Sequence, residues 1–350
     1  MKTDEILKKL CRANGISGFE EEIASLSGEL LKEAGADRVY TDALGSVHAV
    51  FEPSGETLRT VLLDAHMDEV GLMVSDICEN GMLKFVNVGG IDPRILPAMR
   101  VKVHGRRECF GVITNLPPHI TSSSDYTKAI PMDEMFIDAG LSYEEASENI
   151  AVGDAVSFFT PAGELLGDRY LSKALDDRAG LAALIYAAGE LKGKLLNTRL
   201  HLLCSTQEEF SLSGAAAGAF ESGADMCICV DVGHASTPDS KSDDTFELSG
   251  GPMIGAAPSL KKQYTRELCE LAKSLDMEYQ TEVMGGSSGT NAWSIAISGR
   301  GIPCALISIP LRYMHTGAEV VSVSDITAVG RLAAEYVKLK DKEAGENGAH

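Results

Sequence analysis

Basic residues, long apolar runs and paired cysteine motifs are scarce in this chain, and each scarcity excludes a class of protein. Lys and Arg number 31 against 51 Asp and Glu, a net charge of −20. Binding of nucleic acids or anionic membranes depends on clustered basic residues, so we expect no nucleic-acid partner. The first twenty residues lack the apolar core of a secretion signal, and no later apolar run is long enough to span a membrane. We therefore expect a cytoplasmic protein with no membrane partner.

The eight cysteines are scattered, and no C-x-x-C motif occurs among them. Most lie in apolar runs such as HLLCST and MCICV. This usage argues against a cysteine-type zinc site or a disulfide framework. It is typical of reduced core residues in a cytosolic protein.

What is present is an ordinary globular composition, 44% apolar and 23% charged, over 350 residues, which is about two average domains. Strand and helix signals alternate near the N-terminus and again from residue 164, whereas 71–163 holds short β-like runs separated by turns. These patterns predict an α/β fold, with a mixed sheet flanked by helices and an inserted small β-barrel. We assign 1–70 and 164–350 to the α/β catalytic domain and 71–163 to the inserted domain.

Periodicity and capping signals predict the individual elements. The main predicted helices are 20–34, 213–222, 261–276, 290–298 and 324–340. The main predicted strands are 198–205, 225–230, 279–284 and 303–309. A Pro- and Ser-rich stretch at 115–130 predicts a mobile loop, and the polar tail from residue 341 is expected to fray.

Histidines and carboxylates follow the predicted strands, at the edge where ligands bind in open α/β sheets. The candidates are His66, Asp68, Asp176, Asp177, Glu208, Glu209, Asp231 and His315. Imidazole and carboxylate ligands without cysteine suit an ion such as zinc or cobalt. Two ions that share one carboxylate would offset the repulsion among so many acids.

Each candidate also has a structural explanation without metal. A histidine after a strand is often a polar loop residue, and adjacent glutamates are common where helices begin. Asp176 and Asp177 before Arg178 could form an N-cap with a salt bridge, and Asp231 could cap a turn. It is their joint occurrence in five segments that favours a metal site.

The amino-acid sequences of these segments resemble those of a known family. DAHMDEVGLMV, KALDDRAG, TQEEFSLSGA, CVDVGHASTPDS and LISIPLRYMHTGAEVVS match in order and spacing the motifs of the tetrahedral aminopeptidases. These are cytosolic dinuclear metallopeptidases that include the bacterial glutamyl aminopeptidases. GGIDPRILPAMRV and GVITNLPPH also resemble that family's inserted domain. The resemblance covers nearly the whole chain, from about residue 3 to residue 340.

The resemblance implies a role for each candidate except Asp177. One ion would be held by His66, Asp176 and Asp231, and the second by Asp176, Glu209 and His315, with Asp176 bridging. Glu208 matches the general base, Asp68 matches the carboxylate that orients His66, and a cis peptide is expected between Asp176 and Asp177. The implied activity is removal of N-terminal residues from peptides by attack of a metal-bridging water. The implied assembly, through the inserted domain, is a dodecamer built from dimers.

Two departures from the family pattern lie near the expected substrate rim. Phe210-Ser211-Leu212 replaces a Val-Gly-Leu run, and Gly285-Gly286 is followed by an extended Ser-Ser-Gly before Thr290-Asn291. Neither removes a proposed ligand, so they bear on specificity.

Two other functions remain alternatives to an aminopeptidase. One is a metal-dependent deacylase or glycan hydrolase, and the other is a catalytically silent peptide-binding subunit.

Overall fold

The computed structural model describes residues 2–115, 129–241, 245–286 and 288–348, with side chains through residue 346. Its helices are α1 (Thr3–Leu10), α2 (Glu21–Ala34), α3 (Tyr143–Asn149), α4 (Leu175–Leu191), α5 (Glu208–Ser211), α6 (Ser213–Ser222), α7 (Lys262–Ser274), α8 (Asn291–Ala296) and α9 (Val323–Gly348). Its strands in the first half of the chain are β1 (Arg38–Thr41), β2 (Val47–Phe51), β3 (Arg59–His66), β4 (Gly71–Ile77), β5 (Leu83–Val88), β6 (Arg100–His104), β7 (Glu108–Ile113), β8 (Ile137–Asp138) and β9 (Ala155–Phe158). The later strands are β10 (Gly163–Glu164), β11 (Arg169–Ser172), β12 (Thr198–Ser205), β13 (Met226–His234), β14 (Met253–Ala256), β15 (Gln280–Val283), β16 (Cys304–Arg312) and β17 (Glu319–Ser322).

The main sheet has the strand order β1-β2-β12-β3-β13-β16-β17-β11-β10, with β14 and β15 joined to it beside β16. Its central strands β12, β3, β13 and β16 are mutually parallel. Their carboxyl ends therefore meet at one edge of the sheet. This mixed sheet flanked by helices confirms the predicted fold class.

Helices cover both faces of the sheet. On one face α1, α2, α4 and α9 bury residues such as Leu7, Leu31 and Val337 in the larger core. On the other face Ala215 of α6 and Ile295 of α8 pack in a smaller core. A strand covered on both sides is apolar along its whole length, which is why β3 reads VLLDAH rather than alternating.

The strands β4-β5-β8-β7-β6-β9 form a closed barrel with its own apolar core. These strands fall within the segment 71–163, and the short β10 that follows pairs with β11 in the main sheet. The loop predicted at 115–130 lies mostly outside the described residues.

Two segments differ from expectation. Helix α9 continues to Gly348, where a frayed tail was predicted, because Asp341 accepts the backbone N–H groups of Leu196 and Asn197 at 3.0 and 2.7 Å. Strand β13 runs on to His234, past its predicted end at residue 230, so Asp231 lies inside this strand.

None of the helices in the described ranges combines the length and the apolar character that a membrane span requires.

Candidate active site

The structure brings the predicted site residues together at the carboxyl edge of the central strands. His66 is the last residue of β3, Asp231 lies near the end of β13, and His315 follows β16. Glu208 and Glu209 form the start of α5, directly after β12. Asp176 lies in the irregular first turn of α4, where a cis peptide joins it to Asp177, as expected.

Asp176 is at the centre of this arrangement. Its Oδ1 lies 3.0 Å from Nε2 of His66, and its Oδ2 lies 3.3 Å from Nε2 of His315. The same His315 nitrogen lies 3.2 Å from Oε2 of Glu209. The two oxygens of one buried carboxylate therefore face the imidazoles of two histidines, one at the end of β3 and one in the loop after β16.

Asp177 and Asp231 complete the other side of the site. One ligand atom from each of His66, Asp177 and Asp231 lies within 4.8 Å of the others, and the same holds for His66, Asp176 and Glu209. A ligand atom of Asp177 thus lies within reach of His66, as does one of Asp231. Asp177 is among the candidates that the sequence offers, but the family resemblance gives it no ligand role.

Asp68 holds the segment that carries the two glutamates. Its Oδ1 and Oδ2 accept the backbone N–H groups of Glu208 and Glu209 at 2.9 and 3.1 Å. Nδ1 of His66 hydrogen-bonds the Asp68 carbonyl at 3.1 Å, and the carboxylate lies 3.4 Å from the same nitrogen. One buried residue thus positions both the imidazole and the glutamate pair.

Burial and mutual repulsion perturb the acids of the site. Burial, with the charges of Asp231, Glu209 and Asp176, raises the pKa of Glu208 to about 9. Burial also raises the pKa of Asp231 well above its ordinary range. For Asp176 burial acts in the same direction, but hydrogen bonds with His315 and His66 outweigh it and hold the pKa below the ordinary value. The site therefore concentrates more negative charge than its two histidines can balance.

The residues present fit divalent cations. Among the described residues, Oδ2 of Asp177 and Oε1 of Glu209 are buried without a hydrogen-bond partner. A buried carboxylate oxygen without a donor is costly unless a cation faces it. Histidine and carboxylate oxygen donors together suit zinc or cobalt.

Two supporting contacts were not predicted from the sequence. Glu319 of β17 is buried, and its carboxylate accepts the backbone N–H groups of Asp176 and His315 at 3.1 and 2.8 Å. Nδ1 of His315 hydrogen-bonds the carbonyl of Gly90, which follows barrel strand β5, at 2.8 Å. The motif HTGAE places Glu319 near His315 in sequence, but no local pattern indicates Gly90.

The two departures from the family pattern have different surroundings. Phe210 is 75% exposed beside the glutamate pair, so it is available to a substrate. Asn291 is buried, and its side-chain N–H donates to Oγ of Ser205 at 2.8 Å. Ser287, in the loop before Asn291, lies outside the described residues.

Comparison with known proteins identifies the family. A family model described as M42 glutamyl aminopeptidase matches residues 45–332. The chain belongs to the M42 glutamyl aminopeptidase family. As an M42 member it is a hydrolase with metal-dependent aminopeptidase activity, and the resemblance in its sequence motifs is confirmed.

Individual relatives of this M42 peptidase cover nearly its whole length. It is 33% identical to the lysyl aminopeptidase of Pyrococcus furiosus, over 94% of this chain and 95% of that protein. A TET aminopeptidase from the archaeon Thaumarchaeota archaeon SCGC AB-539-E09 superposes with a TM-score of 0.91 at 30% identity, covering 99% and 98% of the two chains. The TET1 peptidase of Pyrococcus horikoshii, which can assemble into a tetrahedron or a large octahedral shell, superposes with a TM-score of 0.83 at 30% identity, covering 95% and 98%.

Proposed function

We propose that this M42 peptidase is a dinuclear aminopeptidase that removes single residues from the N-termini of peptides. The observation that supports this most directly is the placement of Asp176, whose two oxygens face His66 on one side and His315 on the other. A carboxylate so placed is suited to bridge two ions, and its neighbours supply the remaining ligands. The proposed ions are zinc or cobalt.

The ligands divide into two sets. The first set is His66, Asp176 and Asp231, and the second is Asp176, Glu209 and His315. Bound there, two divalent cations would polarise a peptide carbonyl and lower the pKa of a water toward neutrality. Asp68 would keep His66 and the glutamate pair in place through the hydrogen bonds described above.

Glu208 is the proposed general base. It lies next to the proposed ligand Glu209, and the Asp68 contact fixes its backbone, so its own carboxylate is free to accept a proton from water and return it to the leaving amine. Its pKa of about 9 would keep it protonated in the ion-free chain. Positive charge at the neighbouring ligands would lower that pKa and leave the carboxylate ready to act as a base.

The test is a panel of aminoacyl p-nitroanilides assayed after chelation and after re-addition of zinc, cobalt or manganese. We expect aminopeptidase activity that is lost when the metal is removed and restored when it is added back. We expect no hydrolysis of N-acetylated substrates or polysaccharides. Hydrolysis of an N-acetylated substrate or of a polysaccharide, without aminopeptidase activity, would favour the deacylase or glycan hydrolase alternative. No turnover on any substrate by the metal-loaded chain would favour a silent peptide-binding subunit.

The preferred N-terminal residue is a separate question. The family description names a glutamyl activity, whereas one relative is a lysyl aminopeptidase. The net charge of −20 would repel acidic peptides on approach. Equal rates on Glu and Leu substrates would exclude an acidic preference.

We also propose that the chain self-associates through the barrel into a dodecamer built from dimers. An exposed pair, Phe110 and Phe159, lies on the barrel with ring centroids 4.8 Å apart, and Arg100 stacks on Phe159. Exposed aromatic residues beside an arginine are typical of protein–protein interfaces. A particle of about 37 kDa by light scattering, the mass of one chain, would contradict the assembly.

The proposed compartment is the cytoplasm. All eight cysteines are free thiols, and most of them are buried. Free thiols are usual where glutathione and thioredoxin keep cysteines reduced.

A further inference from the structure

A group of one histidine and two carboxylates, residue types that bind metal ions, lies near the edge of the sheet and shares no residue with the candidate active site. Asp42 lies in the turn between β1 and β2, His48 lies in β2, and Glu221 lies in the last turn of α6. One ligand atom from each of the three lies within 4.8 Å of the other two. The fold thus brings one imidazole and two carboxylates from the β1–β2 hairpin and helix α6 to one point.

The turn itself holds Asp42 in position. Its Oδ1 accepts the backbone N–H groups of Leu44, Gly45 and Ser46 at 2.9, 2.9 and 3.0 Å. These three bonds occupy one oxygen and orient the other, Oδ2, which lies 3.2 Å from Nε2 of His48. One ligand oxygen is therefore preorganised.

His48 is held in the way that metal-binding histidines usually are. Its ring is fully buried and stacks on Tyr40 at 4.7 Å, and its Nδ1 lies 2.8 Å from Nε2 of His201. In the tautomer of His201 that carries its proton on Nδ1, Nε2 accepts a hydrogen bond from Nδ1 of His48. A proton on Nδ1 of His48, donated to His201, leaves Nε2 free to bind an ion.

Glu221 supplies the third ligand and opens the site to solvent. Its side chain is exposed and lies close to Tyr40. Arg38 stacks on Tyr40, yet no ion pair joins it to Asp42 or Glu221 among the described residues. In the part of the chain that the structure describes, neither carboxylate forms an ion pair with a lysine or an arginine.

We propose that Asp42, His48 and Glu221 form a zinc site that ties the β1–β2 turn to helix α6. Two carboxylates, one neutral imidazole and one divalent cation sum to zero charge, which suits a half-buried position. One nitrogen and two oxygen ligands match zinc, with the fourth position open to water on the Glu221 side. Because α6 follows the Glu208–Glu209 segment almost directly, the ion would stabilise the helix next to the candidate active site.

The experiment compares zinc content between matched variants. Metal-free protein is dialysed against micromolar free Zn²⁺ and analysed for zinc per chain. Glu221→Gln removes the exposed ligand and is expected to hold one ion fewer than the wild type. Glu33→Gln is the control, because Glu33 is also an exposed glutamate in the last turn of a helix, α2, and it is expected to hold as many ions as the wild type.

Asp42→Asn provides a second variant that retains the fold of the turn. Its amide oxygen still accepts the three backbone N–H groups, while an NH₂ group replaces the ligand oxygen, so this variant is also expected to lose one ion. Equal zinc content in the wild type and Glu221→Gln, or an equal loss in Glu33→Gln, would overturn the proposal. The readout is a difference between variants, so it does not depend on how many ions the candidate active site holds, and turnover by zinc-loaded Glu221→Gln is expected to equal that of the wild type.

Discussion

Replacement of Glu208 by glutamine tests the proposed division of roles between the two adjacent glutamates. The amide keeps the size of the side chain but removes the basic oxygen. The backbone stays in place because Asp68, not the Glu208 side chain, holds the N–H groups of residues 208 and 209. We therefore expect unchanged metal content and assembly, and a nearly unchanged KM.

The expected loss is in kcat. A general base contributes roughly a hundredfold to ten-thousandfold, and one that also protonates the leaving amine belongs at the upper end. A loss of about a thousandfold to ten-thousandfold corresponds to about 4–5.5 kcal/mol in the activation barrier. The assay is turnover of an aminoacyl p-nitroanilide at saturating metal, with zinc content measured on the same sample. Activity close to that of the wild type would refute the role of Glu208.

The same variant has an opposite effect on stability without metal. The pKa of Glu208 rises from 4.5 to about 9 on folding, so its contribution to stability is lost as the pH rises through this range. At pH 7 this costs the ion-free wild type on the order of 3 kcal/mol, and glutamine carries no such cost. Urea unfolding in chelator should show the variant more stable at pH 7 and the gain smaller at pH 5. A gain that does not change with pH would contradict this explanation.

Three further predictions concern the supports of the site and the fold. Asp176→Asn should lose at least one ion by elemental analysis, because a neutral amide cannot balance two cations, and full occupancy of both would count against bridging. Gly89→Ala should lower the free energy of unfolding by about 1–2 kcal/mol, since Gly89 has φ +81° and an added Cβ would lie 2.8 Å from Val70. The variant should also bind metal more weakly in a titration. Unchanged metal affinity would show that this turn does not position the site. Burial raises the pKa of Asp325 to about 6 against the opposing effect of two backbone N–H donors. The wild type should therefore gain stability relative to Asp325→Asn as the pH falls from about 6 to 4. A difference in Tm that does not change with pH would contradict this prediction.

Much of the α/β part of the chain could be predicted, because the local sequence determines its elements. Helix α6 and strand β12 have the predicted bounds, since an Ala-rich run favours a helix and a short continuous apolar run favours a strand covered on both faces. The rule that ligands gather beyond strand ends brought together side chains that lie far apart in the sequence. Asp231 satisfies the rule only approximately, because its strand continues past it.

What the sequence could not predict depends on contacts between distant segments. Gly90 meets His315 across 225 positions of the chain, and neither residue has a pattern that names the other. Asp341 stabilises the last helix by accepting backbone N–H groups from residues 196 and 197, which no signal in the tail indicates. The group formed by Asp42, His48 and Glu221 was missed for the same reason, since its members are unremarkable until the sheet and α6 are in place.

The hydrogen bond between Gly90 and His315 has a consequence for how this enzyme can change during evolution. The inserted barrel and the sheet are joined at the site itself, so a shift of the barrel relative to the sheet moves an imidazole. A change that repacks the barrel against the sheet is thereby constrained by the position of His315. Exchange of the barrel between relatives would need to preserve this one turn, whatever changes elsewhere on the barrel.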